Sequence, residues 1–244
     1  MKQHFLSSIN QKSTEQILFI VLFLESLAIA LAISGAIAAG HSAKAYFEEG
    51  GYMSILSCLQ LLGAGILARK IYLIAKKSSN SILNKSSLFW KIVSFGLIFL
   101  TLDDAFQIHE NIDRLFHFIF DILFDFQETR VSDLIDDLIV GIYLVFFLIY
   151  AGKQWPKIEF YRPSFTYFKI GLLLTAMMIF FDAISNNNLF VSTITENLEV
   201  QKLWKIWLST LEDSLKIYAE GFFLVGIYKS WQIAKSLSQG NKEN

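Results

Sequence analysis

The sequence predicts an all-α protein: a polytopic membrane bundle of six transmembrane helices with both termini in the cytoplasm. Of its 244 residues, 54% are hydrophobic and only 18% are charged, whereas an average soluble domain is about 25% charged. The apolar residues fall into six runs, each long enough for the roughly 18–20-residue helix that crosses a hydrocarbon core. The chain has only two prolines, so few helices are interrupted.

The whole chain, residues 1–244, is predicted to be one integral membrane domain. Its spans must be helical, because unpaired backbone groups cannot be left in lipid. The first apolar run is too long for a signal peptide and follows a polar segment, so we expect it to be a membrane helix. The predicted spans are 15–39, 53–75, 88–109, 134–152, 164–184 and 204–229.

Basic residues set the expected orientation. Most of the 21 lysines and arginines fall at the two termini and in the loops after spans 2 and 4. The positive-inside rule places these segments in the cytoplasm, here of a bacterial inner membrane. The loop 110–133, rich in Phe, Ile and Asp, then faces outward and is predicted to form an interfacial helix. The net charge of −1 without a basic block argues against nucleic acid. The expected partners are the lipid bilayer and, as an open possibility, further copies of the chain.

The second half of the chain contains an internal similarity. "IDDLIVGIYLVFFL" (135–148) aligns without gaps with "LEDSLKIYAEGFFL" (211–224), and "LDDA" (102–105) aligns with "FFDA" (180–183). Helices 3–4, about 88–152, and helices 5–6, about 164–229, are therefore interpreted as a weak repeat. Chance identity between apolar helices is the alternative.

Acidic residues gather toward the predicted outer ends of helices 3 to 6. An ionisable residue within a span is costly and usually marks a functional site. Several carboxylates at one level cannot all be ionised unless cations lie between them. We therefore expect a bound divalent metal ion. The candidate ligands are Asp103, Asp104, His109, Glu110, Asp136, Asp137, Asp182, Glu212 and Asp213.

Carboxylates with one imidazole favour Mn, Fe, Ca or Mg over Zn. The candidate supporting residues are Gln107, Asn186, Lys216 and Glu25. Asp103, Gln107 and Glu110 are spaced to share one helical stripe. Lys216, facing the aspartates of helix 3, is predicted to form a salt bridge rather than a retinal Schiff base. Glu25 lies in the middle of helix 1, and Gln60 is its candidate partner. The alternative to a metal is a network of protonated acids, amides and Lys216 that locks the helices together.

Three classes of function remain open at this point. The first is a metal-dependent hydrolase of an amphipathic or lipid-linked substrate, with Glu110 as general base. The second is an oligomeric cation or proton channel or transporter, although the inner halves of the spans offer few polar groups for a pathway. The third is a sensor or scaffold that acts with a cytoplasmic partner. Whether the protein is an enzyme stays open.

The motifs "LDDAFQIHE" (102–110) and "LEDSLKIYAE" (211–220) resemble a pattern in bacterial multi-pass membrane proteins. In that pattern one helix ends in Leu-Asp-Asp/Glu, four variable residues and His-Glu, and the last helix carries Glu-Glu or Glu-Asp followed by Glu. The resemblance implies a shared site and no particular activity. Lys216 departs from it, because the pattern tends to have a further acid there.

Overall fold

The computed structural model describes residues 11–40, 42–47, 51–108, 111, 131–186 and 197–239. Of Lys44, Asn186 and residues 131–140, 143 and 144, it describes the backbone only. The described residues form helices and no strand. The elements are α1 Gln11–Ala39, α2 Lys44–Phe47, α3 Tyr52–Lys77, α4 Ser81–Lys85, α5 Ser87–Phe106, α6 Val131–Ile158, a 3-10 helix Glu159–Ser164, α7 Phe165–Asn186 and α8 Leu198–Gln239.

The predicted all-α class is confirmed, and each predicted span falls largely within a long helix. Three helical segments are long and apolar enough to cross a membrane: Gln11–Ala39, Ala45–Lys77 and Val145–Ser185. The apolar helix α5 also carries Lys91, Asp103 and Asp104. Passage of all six helices through a membrane and the cytoplasmic termini stay predictions. The interfacial helix predicted for 110–133 lies outside the described residues, apart from Asn111 and the backbone of residues 131–133, which begins α6.

The central helix of the described bundle is α8, which packs against α7, α3 and α1. It has 42 residues, or about 63 Å at 1.5 Å per residue, which exceeds the roughly 30 Å of a hydrocarbon core. Asn197 precedes the helix and caps its N-terminus. Its side-chain oxygen accepts from the backbone N–H groups of Glu199 and Val200 at 3.0 and 3.4 Å. Such capping satisfies donors that a helix start leaves unpaired.

Contacts along α8 fix the directions of two neighbouring helices. The Ser13 and Tyr228 hydroxyls lie 3.2 Å apart. Further along α1, the Ser26 hydroxyl lies 2.9 Å from that of Tyr218, so α1 is antiparallel to α8. The same holds for α7, because Gly171 lies against Phe223 while Gly226 lies against Phe168.

The remaining helices continue this alternation. Near the start of α3, Cys58 contacts Asp104 at the end of α5. Farther along, Ser94 Oγ donates to the carbonyl of Gly65 at 2.9 Å, so α3 and α5 are antiparallel. The end of α6 meets the start of α5, since the Tyr150 ring stacks on Phe89. Hence the C-terminal ends of α1, α5 and α7 lie at the same end of the bundle as the N-terminal ends of α3, α6 and α8. We call this the acidic end.

The opposite end is packed with aromatic side chains, and we call it the aromatic end. Trp90 and Tyr161 are buried there with their rings edge to face at 5.1 Å. Ser230 Oγ on α8 donates to Ser164 Oγ at 2.8 Å, which joins α8 to the 3-10 helix. That 3-10 helix contains Pro163, whose missing N–H favours a break between two helices.

Small residues line the helix contacts, and large apolar residues point outward. A buried stripe on α1 consists of Ala28, Ala32 and Ala36. In contrast, Phe19 and Phe95 are 71% and 74% exposed. Helices in lipid pack through small residues, because large apolar side chains gain nothing by leaving the hydrocarbon. This arrangement suits a bundle surrounded by lipid.

Candidate functional site

Charged and polar side chains meet between α1, α3, α5 and α8. We call this set the polar layer; it consists of Glu25, Ser57, Cys58, Gln60, Asp104, Lys216 and Glu220. The helices position these side chains by ordinary spacing. Glu25 continues the buried alanine stripe of α1, and Ser57 and Gln60 share the buried face of α3 with Ala64.

Asp104 and Lys216 form the ion pair of the polar layer. Lys216 Nζ donates to Asp104 Oδ1 at 2.7 Å, and the aspartate side chain is only 8% exposed. The second oxygen of Asp104 accepts from Cys58 Sγ at 3.4 Å. Both oxygens of this carboxylate are therefore engaged. The salt bridge predicted between Lys216 and an aspartate of helix 3 is confirmed.

Glu220 lies one turn beyond Lys216 on α8 and is buried. Its Oε1 accepts from Ser57 Oγ at 2.8 Å. Its Oε2 is buried and has no hydrogen-bond partner among the described residues. The Lys216 ammonium interacts with Glu220 electrostatically, while its hydrogen bond goes to Asp104.

Glu25 inserts its carboxylate between α3 and α8 and is 1% exposed. Gln60 Nε2 donates to Glu25 Oε1 at 2.5 Å, so the predicted pairing of these residues is confirmed. The carboxylate also lies directly against Gly221, where even one added methyl group would overlap it. Glycine is therefore what allows α1 to approach α8 at the level of Glu25.

The predicted metal ligands that the structure describes lie toward the acidic end. Asp103 and Asp104 are buried near the end of α5, and Asp182 lies near the end of α7. Glu212 and Asp213 lie one turn before Lys216 on α8. Within the described part of the chain, no three His, Cys, Asp or Glu side chains form a group that could hold a metal ion.

Several of the predicted site residues are not described. His109 and Glu110 lie outside the described residues, and so do the side chains of Asp136, Asp137 and Asn186. The backbone of residues 136 and 137 lies near the start of α6.

The predicted helical stripe of Asp103, Gln107 and Glu110 is wrong. The helix α5 ends at Phe106, earlier than the predicted 109, and Gln107 is left-handed with φ 52°. The Asn111 side-chain amide donates to the carbonyls of Phe106 and Gln107 at 3.1 and 2.8 Å. These bonds satisfy carbonyls that the helix end leaves free. Gln107 therefore does not lie on the same helical face as Asp103.

Three residues of the polar layer were absent from the predicted site. Ser57 and Cys58 lie in an apolar run and give no signal, because a serine or cysteine in such a run is usually a packing residue. Glu220 gave a clear signal, since it lies one turn after Lys216 and two turns after Glu212 within "LEDSLKIYAE".

The fold and the polar layer define an all-α bundle that buries charged residues between helices, three of whose segments are long and apolar enough to cross a membrane. The chain belongs to the family of the domain of unknown function DUF8692, which matches residues 16–229. The match includes every residue of the polar layer. No curated protein and no solved structure matches the chain.

Proposed function

We propose that the protein is a six-span bacterial inner-membrane protein whose outward-facing acidic end binds a divalent cation. The observation that carries this proposal is the ion pair between Asp104 and Lys216. It ties α5 and α8 together at one level. The acids next to it on both helices, Asp103, Glu212 and Asp213, therefore lie near the same height of the bundle.

The residue types at this level support a cation. The predicted ligands Asp103, Asp104, Asp182, Glu212 and Asp213 all lie toward this end of the described structure, and Lys216 forms its hydrogen bond with Asp104. Carboxylates that crowd together in a poorly hydrated site are stabilised by a bound cation. The proposed ligands are Asp103, His109, Glu110, Glu212 and Asp213, with Asp136, Asp137 and Asp182 around them. Asp104 becomes a further ligand if its carboxylate releases Lys216 and binds the metal instead.

The aromatic end favours binding over passage through a single chain. Trp90, Tyr161 and Phe89 pack tightly there in the described structure. A bundle that is closed by rings at one end suits a ligand that enters and leaves at the other. Hydrolysis with Glu110 as general base, a sensor role and an intersubunit pore in a homo-oligomer stay predictions, since none of them rests on a described contact.

Metal analysis tests the proposal. The chain is purified without chelator, and its Mn, Fe, Ca, Mg and Zn contents are measured by elemental analysis. We expect a stoichiometric divalent ion, with Mn, Fe, Ca or Mg ahead of Zn, that is lost from an Asp103→Ala/His109→Ala variant. The matched control is Glu159→Ala, which removes an acid at the aromatic end and should retain the ion. Absence of all five metals from the wild type, or full retention by the double variant, would overturn the proposal.

A further inference from the structure

Three buried oxygens of the polar layer lack hydrogen-bond donors. They are Glu25 Oε2, Gln60 Oε1 and Glu220 Oε2, and none has a partner among the described residues. The three side chains are 1%, 7% and 7% exposed. A buried acceptor without a donor destabilises the fold. Three such oxygens in one region indicate that something which supplies donors or positive charge belongs there.

The three oxygens belong to one junction of helices. The Gln60 amide is hydrogen-bonded to Glu25, and the Glu25 carboxylate lies against Gly221, the residue that follows Glu220. The carboxyl groups of Glu25 and Glu220 are close enough to interact electrostatically. The junction therefore brings together one acid from α1, one acid from α8 and one amide from α3.

The charged groups around the junction do not neutralise it. Lys216 interacts with Glu220 electrostatically, but its hydrogen bond goes to Asp104. The other titratable group that faces this region from α3 is Cys58, whose thiol donates to Asp104. The Lys216 ammonium therefore interacts with Asp104, Glu220 and Asp213, and Glu25 has Gln60 and Glu220 as its neighbours. Two ionised carboxylates side by side in a dry site are strongly disfavoured.

We propose that Glu25 and Glu220 form a proton-binding pair inside the bundle, held in place by Gln60 and Ser57. A proton on one carboxyl group removes one negative charge and converts an acceptor oxygen into an O–H donor. One such donor accounts for two of the three unpartnered oxygens, the protonated one and the one that accepts from it. Neither Glu25 nor Glu220 is a proposed metal ligand, although Glu220 interacts electrostatically with Asp104, and the proposal rests on the unpartnered oxygens rather than on the proposed function.

The pair also connects proton binding to helix packing. Glu25 joins the middle of α1 to Gln60 of α3 and lies against Gly221 of α8, and Ser57 joins α3 to Glu220. Release of the proton leaves two like charges at this junction and weakens the contact of α1 with its neighbours. We therefore expect the packing of α1 against α3 and α8 to depend on pH.

Infrared difference spectroscopy on the purified full-length protein in lipid tests the proposal directly. Spectra recorded from acidic to alkaline pH should contain the carbonyl stretch of a buried protonated carboxylic acid, which disappears as the pH rises. We expect the band to be lost in a Glu25→Gln or Glu220→Gln variant. Both substitutions preserve side-chain size, so the fold is maintained. The matched control is Glu159→Gln, which removes an exposed acid at the aromatic end, and this variant should retain the band.

Labelling with a hydrophobic carbodiimide is an independent test of protonation, because this reagent modifies protonated carboxyl groups in apolar surroundings. We expect peptide mass spectrometry to find the modification on Glu25 or Glu220, with a yield that falls as pH rises. A band unchanged in both glutamine variants would overturn the proposal. The proposal would also be overturned if Glu25 and Glu220 were both ionised and the desalted protein retained a sodium or calcium ion that the Glu25→Gln or Glu220→Gln variant lost. Metal content at the acidic end should be the same in Glu25→Gln and the wild type, which separates this test from that of the proposed function.

Discussion

At the scale of single residues, the Asp104–Lys216 ion pair makes an asymmetric prediction. The Lys216 side chain is 39% exposed, whereas Asp104 is 8% exposed. Replacing Lys216 by methionine leaves a buried carboxylate without its main donor, at a cost of about 1–3 kcal/mol. Replacing Asp104 by asparagine leaves an ammonium that is partly exposed and still interacts with Glu220. We therefore expect Lys216→Met to lower the midpoint of thermal unfolding in detergent more than Asp104→Asn does.

The double variant provides the control for this prediction. Lys216→Met with Asp104→Asn removes both charges of the ion pair, so neither partner is left without the other. Its unfolding midpoint should lie above that of Lys216→Met alone. Additive losses in the double variant would show that the two side chains do not interact.

The residue scale also shows which parts of the site the sequence could predict. Lys216 and Glu25 stand out because charged residues are rare within long apolar runs, and each has an obvious partner type. Ser57 carries no such signal, although it holds Glu220. Its role depends on which face of α3 meets α8, and only tertiary packing determines that face.

At the scale of helices, the contact of α1 with α8 depends on Gly221. A Cβ atom there would lie 2.9 Å from Val21 Cγ1 and would overlap the Glu25 carboxylate. Both neighbours are held by packing, so α1 must shift. We expect Gly221→Ala to destabilise the protein by about 1–3 kcal/mol, the usual cost of overpacking, measured by unfolding in detergent.

Gly96 provides the matched control for this substitution. It also lies within an apolar helix, but a Cβ atom at this position meets nothing within 4 Å. Gly96→Ala should leave stability unchanged or raise it, since alanine favours a helix by about 1 kcal/mol over glycine. Equal effects of the two substitutions would rule out close approach at Gly221 as the cause.

The contact of α7 with α8 uses two glycine–phenylalanine pairs. The Phe223 ring lies within 2.8 Å of where a Cβ of Gly171 would be. We expect Gly171→Ala to destabilise the fold, and a smaller side chain in Phe223→Leu to relieve the added crowding. A double-mutant cycle of unfolding free energies should show coupling of about 0.5–3 kcal/mol. Purely additive free energies would contradict the contact.

The existence of the helices could be predicted more easily than their ends. Long apolar runs must be helical in lipid, so the windows for all six spans fell largely on helices. The end of α5 could not be predicted, because Gln107 adopts a left-handed conformation that glycine or asparagine normally signals. The side-chain amide of Asn111 caps that end instead, four residues on from Gln107. The length of α8 was also underestimated, since its ends are polar and carry no membrane pattern.

At the scale of the whole molecule, the alternating directions of the helices put the termini of the described bundle at one end. The helix α1 starts, and α8 ends, at the aromatic end. The same end contains Lys76 and Lys77 at the last turn of α3. The positive-inside rule places such basic segments in the cytoplasm. We therefore predict that the acidic end faces the periplasm.

Cysteine accessibility in intact cells tests this orientation. Cys58 is the only cysteine, so Cys58→Ser supplies a background without thiols. We expect a membrane-impermeant maleimide to label Ser192→Cys, in the predicted outer loop between spans 5 and 6, without permeabilisation of the inner membrane. Ser79→Cys, in the turn between α3 and α4, should be labelled only after permeabilisation. The reverse pattern would place the acidic end in the cytoplasm, and labelling of both sites in intact cells would contradict a chain that crosses the membrane between them.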